Sequence, residues 1–436
     1  MKYSYKESNI EWLGLIPEHW KIDRIKDRCE KVTGGGTPKS GISEYWDEGE
    51  IIWISPTDFS KSEKKIIKDS EKKITPLGLK KSSANLLPIG TVIMSSRASI
   101  GEVKIAGKEL STNQGFVSFL PQKNLYNNFL YYVIKGFLGE YFSEIASGTT
   151  FMEISRRMVQ LEKIPLPPLP EQKAIAAYLD QACARIDRII EIKERQLESN
   201  QKYYVSKLHE LITKGSIKVK LKSSEIEWQG NVPVHWKKEK LFRLANKMGS
   251  GGTPKSTNQL YYNGDIPWIQ SGDLNDGLIT KTKKTITENA IKESSAKLFE
   301  EGTVLIAMYG ATIGKLGVMG MDAATNQACC AIQPGPNLVP NYLFFLLYDM
   351  REYLISRGYG GGQNNISQEV IKQQYFYYPP LKEQNKIVQS VETLQHRSTA
   401  IKIKLQSQIK TLKNYRKSLI HECVTGKKQV FLEIEK

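Results

Sequence analysis

Ser8–Lys21 reads SNIEWLGLIPEHWK, and Ser224–Lys237 reads SEIEWQGNVPVHWK; nine of the fourteen positions are identical at an offset of 216 residues. A match of that density is the mark of an internal repeat. The same offset carries Thr37-Pro38-Lys39-Ser40 onto Thr253-Pro254-Lys255-Ser256, each preceded by two glycines. With small gaps the match runs on. GTVIMSSRASIG (Gly90–Gly101) meets GTVLIAMYGATIG (Gly302–Gly314), and STNQGF (Ser111–Phe116) meets ATNQAC (Ala324–Cys329). PPLPEQ (Pro167–Gln172) meets PPLKEQ (Pro379–Gln384), and KLHELITKG (Lys207–Gly215) meets SLIHECVTG (Ser418–Gly426). The chain is one unit written twice. Each copy, at about half of 436 residues, is far longer than a solenoid repeat and is expected to be a domain with an appendage.

Each copy changes character at its prolines. Before them lie short β-rich runs (Ile51–Ser55, Thr91–Ser95, Gly115–Leu120) and a helix expected over Tyr126–Ile145, with a partner over Tyr342–Ser356. After them comes one long helix, opened by Pro170 with Glu171 in its first turn. In the first copy the apolar seam runs Ile175, Leu179, Ala182, Ile186, Ile189, then Ile190, Leu197, Tyr204, Leu211. In the second it runs Ile387, Val391, Leu394, Ile401, Leu405, Leu412, Tyr415, Leu419, interrupted only by Ser398 and Gln408. Steps of four and three are the a/d seam of a coiled coil, and the two helices are expected to pair with each other. Some 40 residues of helix make a rod of about 60 Å. The expected fold is α+β: two mixed α/β domains (1–165 and 221–378), each followed by a long helix (166–220 and 379–436).

The net charge is +16, with 34 Lys and Arg against 27 Asp and Glu in the first 220 residues and 28 against 19 in the rest. A basic excess spread over both copies suits a polyanionic partner. Five cysteines without CxxC spacing argue against a zinc ribbon or a disulfide framework and for a reducing compartment. With no membrane-spanning run and no signal-like start, a cytoplasmic protein is expected.

Taken together, IEWLGLIPEHW, GGTPKS, STNQGF, IPLPPLPEQKAIAAYLD and YRKSLIHECVTGK resemble the specificity subunits of type I restriction–modification systems, over essentially the whole chain. The resemblance implies two target recognition domains, each reading half of a split DNA sequence. It also implies an antiparallel coiled coil that spaces the halves, docking of two methyltransferase subunits on the helices, and restriction subunits joining that complex. Such a subunit is not catalytic. S-adenosylmethionine, ATP and Mg are implied for the partners and no cofactor for this chain.

The residues agree in showing no enzyme signature. The double prolines lack the Asn and the aromatic of an adenine methyltransferase loop, and GATIGKL (Gly310–Leu316) is one residue short of a P-loop. Asp58 with Glu63-Lys64-Lys65 mimics a nuclease metal site, but the second copy keeps only Asp273. Base reading needs Arg, Asn and Gln, and phosphate holding needs Lys, Arg and backbone N–H. Three loops per copy qualify. Ser96–Ser99, with Arg97 and Ser99, answers Tyr309–Thr312. Thr112-Asn113-Gln114 answers Thr325-Asn326-Gln327 and, being identical, reads as a structural turn or a shared backbone contact. Gly148–Phe151, with Thr149, Thr150, Arg156 and Arg157, answers Gly360–Asn365, with Gln363, Asn364 and Asn365. Gly-Gly-Thr-Pro reads as a turn in which glycine supplies positive φ, with Lys39 and Lys255 placed for a phosphate. Lysines over 61–73 and 281–284 are further phosphate candidates or a solvated face.

Overall fold

A computed structural model describes residues 3–10, 12–61, 64–146, 152–358 and 365–430. It divides into two compact units, Met1–Glu194 with Gln406–Lys436, and Arg195–Leu405.

In the first unit a five-stranded sheet is ordered Cys29–Gly34, Phe116–Pro121, Val92–Ser95, Val103–Ala106, Ile66–Ile67. All pairs are antiparallel except the last. Side chains alternate across it, as a strand's period of two requires. Val92, Met94, Val117 and Phe119 face a core under the helices, whereas Ile93 and Phe116 face a second core under a small sheet of Ser111–Thr112, Ile51–Ile54 and Lys73–Ile74. The helix expected over 126–145 is Asn127–Val133, a π-turn at Ile134–Leu138, and Gly139–Ile145. Two glycines let its neighbours approach at the π-turn. A Cβ on Gly136 would lie 2.6 Å from Ile420 Cγ2, and one on Gly139 2.6 Å from the Gly101 carbonyl oxygen.

The second unit repeats the plan. Its five-stranded sheet runs Ala245–Ser250, Cys329–Pro334, Val304–Ala307, Leu316–Met319, Gly277–Ile279, again with only the last pair parallel. Val304 and Ile306 face the helix side, Leu305 and Ala307 the small sheet. Its helix breaks at Met350 into Pro340–Asp349 and Arg351–Ser356 rather than passing through a π-turn.

Two long helices, Leu169–Lys214 and Leu381–Val424, pack antiparallel. In the first unit Asp187 pairs with Arg416 and Glu194 with Lys413. In the second, Asn200 Nδ2 donates to Ser398 at both its carbonyl (3.1 Å) and hydroxyl (2.9 Å) oxygens. The polar break in the second seam is thus answered by a polar residue of the first helix, a pairing that fixes register. Of the seam residues, Ile175, Leu179, Ile186, Ile387, Val391 and Leu405 are buried, and Leu197, Leu394 and Leu412 are half-buried. The expected seam fails at Ile189, Ile401 and Tyr415, which are exposed. A straight helix drifts about 20° per heptad from a strict seven-residue repeat. Moreover, the helix ends serve their own units. Leu208 and Ile212 lie in the core of the second unit, and Ile420 and Val424 in that of the first.

The duplicated motifs meet where each helix begins. The Glu171 carboxylate accepts from Trp20 Nε1 (3.1 Å) and Tyr3 Oη (2.6 Å) and bonds His19 Nε2 (2.9 Å). Glu383 takes Trp236 (3.2 Å) and His235 (2.8 Å) in the same way. Gln172 and Gln384, both fully buried, each accept a backbone N–H (Tyr126, Val339) and donate to two carbonyls. His-Trp and Pro-Pro-Leu-x-Glu-Gln are therefore two sides of one latch that fixes each unit to its helix.

Candidate nucleic-acid interface

In the first unit four loops converge at one end of the five-stranded sheet. Gly35 and Gly36 are required there by space, not by dihedral angle: neither has positive φ, so the expected role of glycine in this turn is corrected. A Cβ on Gly35 would lie 2.1 Å from the Asn113 carbonyl oxygen, and one on Gly36 2.3 Å from Ser83 Oγ. Trp53 Nε1 donates to Gly36 O (2.8 Å), and the Thr37 hydroxyl bonds Gln114 Oε1. Asn113 Oδ1 accepts Gly115 N–H (2.9 Å), Gly115 O accepts Ser96 N–H (2.8 Å), and Ser96 O accepts Ile154 N–H (3.1 Å). The glycine turn, the Thr-Asn-Gln turn, the strand tip and the segment before helix Arg156–Leu161 are thus stitched into one edge.

The second unit is stitched alike. A Cβ on Gly251 would lie 1.8 Å from Thr325 O, Trp268 Nε1 donates to Gly252 O (3.3 Å), and Thr253 bonds Gln327. Asn326 Oδ1 accepts Ala328 N–H (3.2 Å), Ala328 O accepts Met308 N–H (2.8 Å), and Met308 O accepts Ile366 N–H (2.8 Å).

The side chains mounted on this shared frame differ. Arg97 forms an ion pair with Glu153 (2.9 Å), where the second unit has exposed Tyr309 and Asn365. Arg156 lies over Gly34, its Nη1 3.8 Å from the Cβ position, where Gln368 Nε2 donates to Ser250 Oγ (2.6 Å). Ser99, Arg157, Lys39 and Lys255 are exposed, and Thr312 is half-exposed in the turn Gly310–Thr312. Thr149, Thr150, Gln363 and Asn364 lie outside the described residues. Glu153, Gln368 and Ser250 escape motif reading: they adjoin divergent loops, and only the fold shows which side chains they face.

Other candidates have structural work. Lys61 pairs with Glu71, and Lys65 with Asp180 (2.6 Å) while lying over the Tyr131 and Tyr132 rings. Asp58 accepts from Ser55 N–H (2.8 Å) and Glu71 N–H (2.8 Å), capping helix Pro56–Ser60. Burial pushes the thiols of Cys29, Cys329, Cys330 and Cys423 up to about 12 and that of Cys183 up to about 11. They are protonated, unreactive thiols at neutral pH. No helix among the described residues is long and apolar enough to cross a membrane.

Comparison with known proteins gives this geometry its setting. Residues 17–199 and 233–411 each match the type I restriction modification DNA specificity domain. The MjaIX specificity subunit of Methanocaldococcus jannaschii is 29% identical over 98% of this chain and 96% of its own. The EcoKI specificity subunit of Escherichia coli is 22% identical over 95% and 90%. Among solved structures, a chain from a study of assembly and conformational transition of the type I restriction–modification system superposes with a TM-score of 0.73 at 19% identity, covering 94% of this chain and 98% of the other. The HsdS subunit from Thermoanaerobacter tengcongensis gives 0.57 at 18%, with the same coverage. With two specificity domains in tandem, joined by a pair of long antiparallel helices, the chain belongs to the type I restriction–modification specificity subunits.

Proposed function

We propose that this chain reads an asymmetric, bipartite DNA target, one half with each unit, and performs no catalysis itself. The observation that carries this is the pairing of a common frame with different side chains: Arg97, Glu153, Arg156 and Gly34 in one unit against Tyr309, Asn365, Gln368 and Ser250 in the other. A frame built twice for one ligand class, carrying two sets of readout groups, suits two half-sites of different sequence. The exposed Lys39 and Lys255, with the net charge of +16, suit the phosphate backbone, so affinity falls steeply with salt. The spacer between half-sites is set by the helices. Methyltransferase subunits, two in this reading, dock on those helices and bring S-adenosylmethionine. Restriction subunits join them with ATP and Mg, and the assembly works in the cytoplasm.

The test is to co-express the chain with its methyltransferase partner and map modified adenines across a genome. A two-part motif of unlike halves is expected, and exchanging residues 1–165 for those of a relative alters one half alone. A change in both halves or in neither, or turnover by the chain free of partners, overturns the reading.

A further inference from the structure

We infer that Glu153 and Arg97 act as one reading unit for a G·C base pair in the half-site met by the first unit. This rests on the proposed DNA-reading role and goes beyond it by naming a base pair.

The two residues face each other across an isolated antiparallel bridge, reinforced by the Ile154 N–H to Ser96 O bond at 3.1 Å. Arg97 Nη2 meets Glu153 Oε2 at 2.9 Å, with 43% and 41% of the side chains exposed. The stem of Arg97 lies 4.0 Å from the Cβ position of Gly115, and its Nε is buried with no partner among the described residues. The backbone thus fixes the stem, and the terminal nitrogens emerge beside a carboxylate.

That carboxylate is out of place on a surface meant only for phosphates. Lys39 on the glycine turn and Arg156 and Arg157 at the start of helix Arg156–Leu161 are exposed, and a negative charge among them works against a polyanion. It fits a surface that reads bases. In the major groove guanine offers two acceptors, N7 and O6, while its partner cytosine offers the N4 amino donor. An arginine fork beside a carboxylate presents the complementary order, donors and then an acceptor. The 2.9 Å between Nη2 and Oε2 is close to the usual N–H···O length of about 2.9 Å, which is the separation of guanine O6 from cytosine N4. At an A·T pair the same carboxylate would face the thymine O4 acceptor and repel it. Discrimination therefore comes from both residues. The second unit has the uncharged Tyr309 and Asn365 at these places and lacks this complement.

The experiment uses the assembled methyltransferase and the adenine map, with the half-site of the first unit identified by the exchange of residues 1–165. An invariant G·C pair is expected in that half-site. Arg97→Gln and Glu153→Gln each lower discrimination at that pair by roughly 5- to 150-fold and leave the other half-site unchanged. Arg97→Lys keeps the charge without the fork, so it retains binding while losing discrimination. Gel filtration of each assembled complex separates a reading defect from misfolding. A two-part motif with no G·C pair sensitive to Arg97 overturns the inference and leaves the proposed function standing. So does a Glu153→Gln variant that binds more tightly with its motif unchanged, because the carboxylate is then only a counter-charge. A map with no two-part motif sinks the proposed function itself.

Discussion

Beneath the loop edges, the two units share the contacts that fix each sheet to its long helix, and differ most in the strand pairs on their outer faces. Gln172 and Gln384 and the glycine pairs at 35–36 and 251–252 keep equivalent partners in both, and Glu171 and Glu383 each hold the His-Trp pair of their own unit. Outside, the strand pair Lys21–Arg24 with Lys163–Leu166 carries Ile22 and Pro165, and the arginines here are neutralised, Arg24 on Asp27 and Arg28 of the next turn on Asp23. Its counterpart, Lys237–Lys240 with Tyr375–Tyr378, stacks Lys222, Lys238 and Lys240 over Tyr375 and Tyr377. A duplicated fold holds what its core needs twice and leaves the rest free to diverge.

The sharpest way to break the comparison is to remove an inward contact that both units share. Trp20 and Trp236 are 1% and 2% exposed and anchor each unit to its latch. Truncating either to Ala removes a large buried ring at a cost of about 3–5 kcal/mol. Hydrogen exchange on the assembled chain is expected to show lost protection in the strands of the mutated unit. Equal loss in both units from a single substitution would contradict their separate cores.

A smaller effect measures where the latches differ. Glu171 holds three donors, because Tyr3 adds its hydroxyl, and Glu383 holds two. At position 219, the counterpart of Tyr3, stands a valine. Glu171→Ala leaves the buried indole and Tyr3 without an acceptor and is expected to cost about 3 kcal/mol, against about 2 kcal/mol for Glu383→Ala. Tyr3→Phe should bring the two closer, as read by denaturant midpoints. Equal costs in the parent chain would show that the third donor contributes nothing.

The duplication, the sheets' apolar runs and the pairing of the long helices were legible in the sequence because each leaves a periodic or repeated trace. The latch was half legible: His-Trp and Glu-Gln stand out as repeated motifs, but their joining across some 150 residues is a tertiary fact. The expected coiled-coil seam fails at Ile189, Ile401 and Tyr415, because a strict seven-residue spacing does not follow the drift of a straight helix. At the proposed reading edge Arg97 is visible by residue type, whereas Glu153 becomes visible only when the fold places it opposite. The glycine turns misled as to cause. Sequence suggests a dihedral need, and only packing distances reveal that backbone crowding excludes a Cβ.

The smallest expected effect contrasts two histidines that the structure makes equivalent. Thr213 Oγ1 bonds His209 O, and Thr425 Oγ1 bonds His421 O, each at 2.7 Å; the helix ends therefore align as His-Glu-Leu-Ile-Thr on His-Glu-Cys-Val-Thr, one residue off the simplest sequence match. His209 meets the Asp349 carboxylate at 2.9 Å, at the end of helix Pro340–Asp349. His421 meets the Phe137 ring at 5.8 Å in the corresponding helix of the first unit. The Asp349 hydrogen bond raises the His209 pKa against the opposing effect of burial. Burial first, then Lys427, lowers that of His421. The ordinary value is about 6.5. Stability from His209 is thus complete below that value and is lost as pH rises through the raised one. For His421 the sign reverses: nothing is lost above about 6.5, but as pH falls through it the unfolded chain takes up a proton that the fold disfavours. NMR titration is expected to place His209 above and His421 below the ordinary value, and Asp349→Asn to bring His209 down while leaving His421 in place. A carboxylate beside one histidine, and burial with neighbouring lysines around the other, thus give the two units opposite responses to acid, and two coincident titrations would refute that.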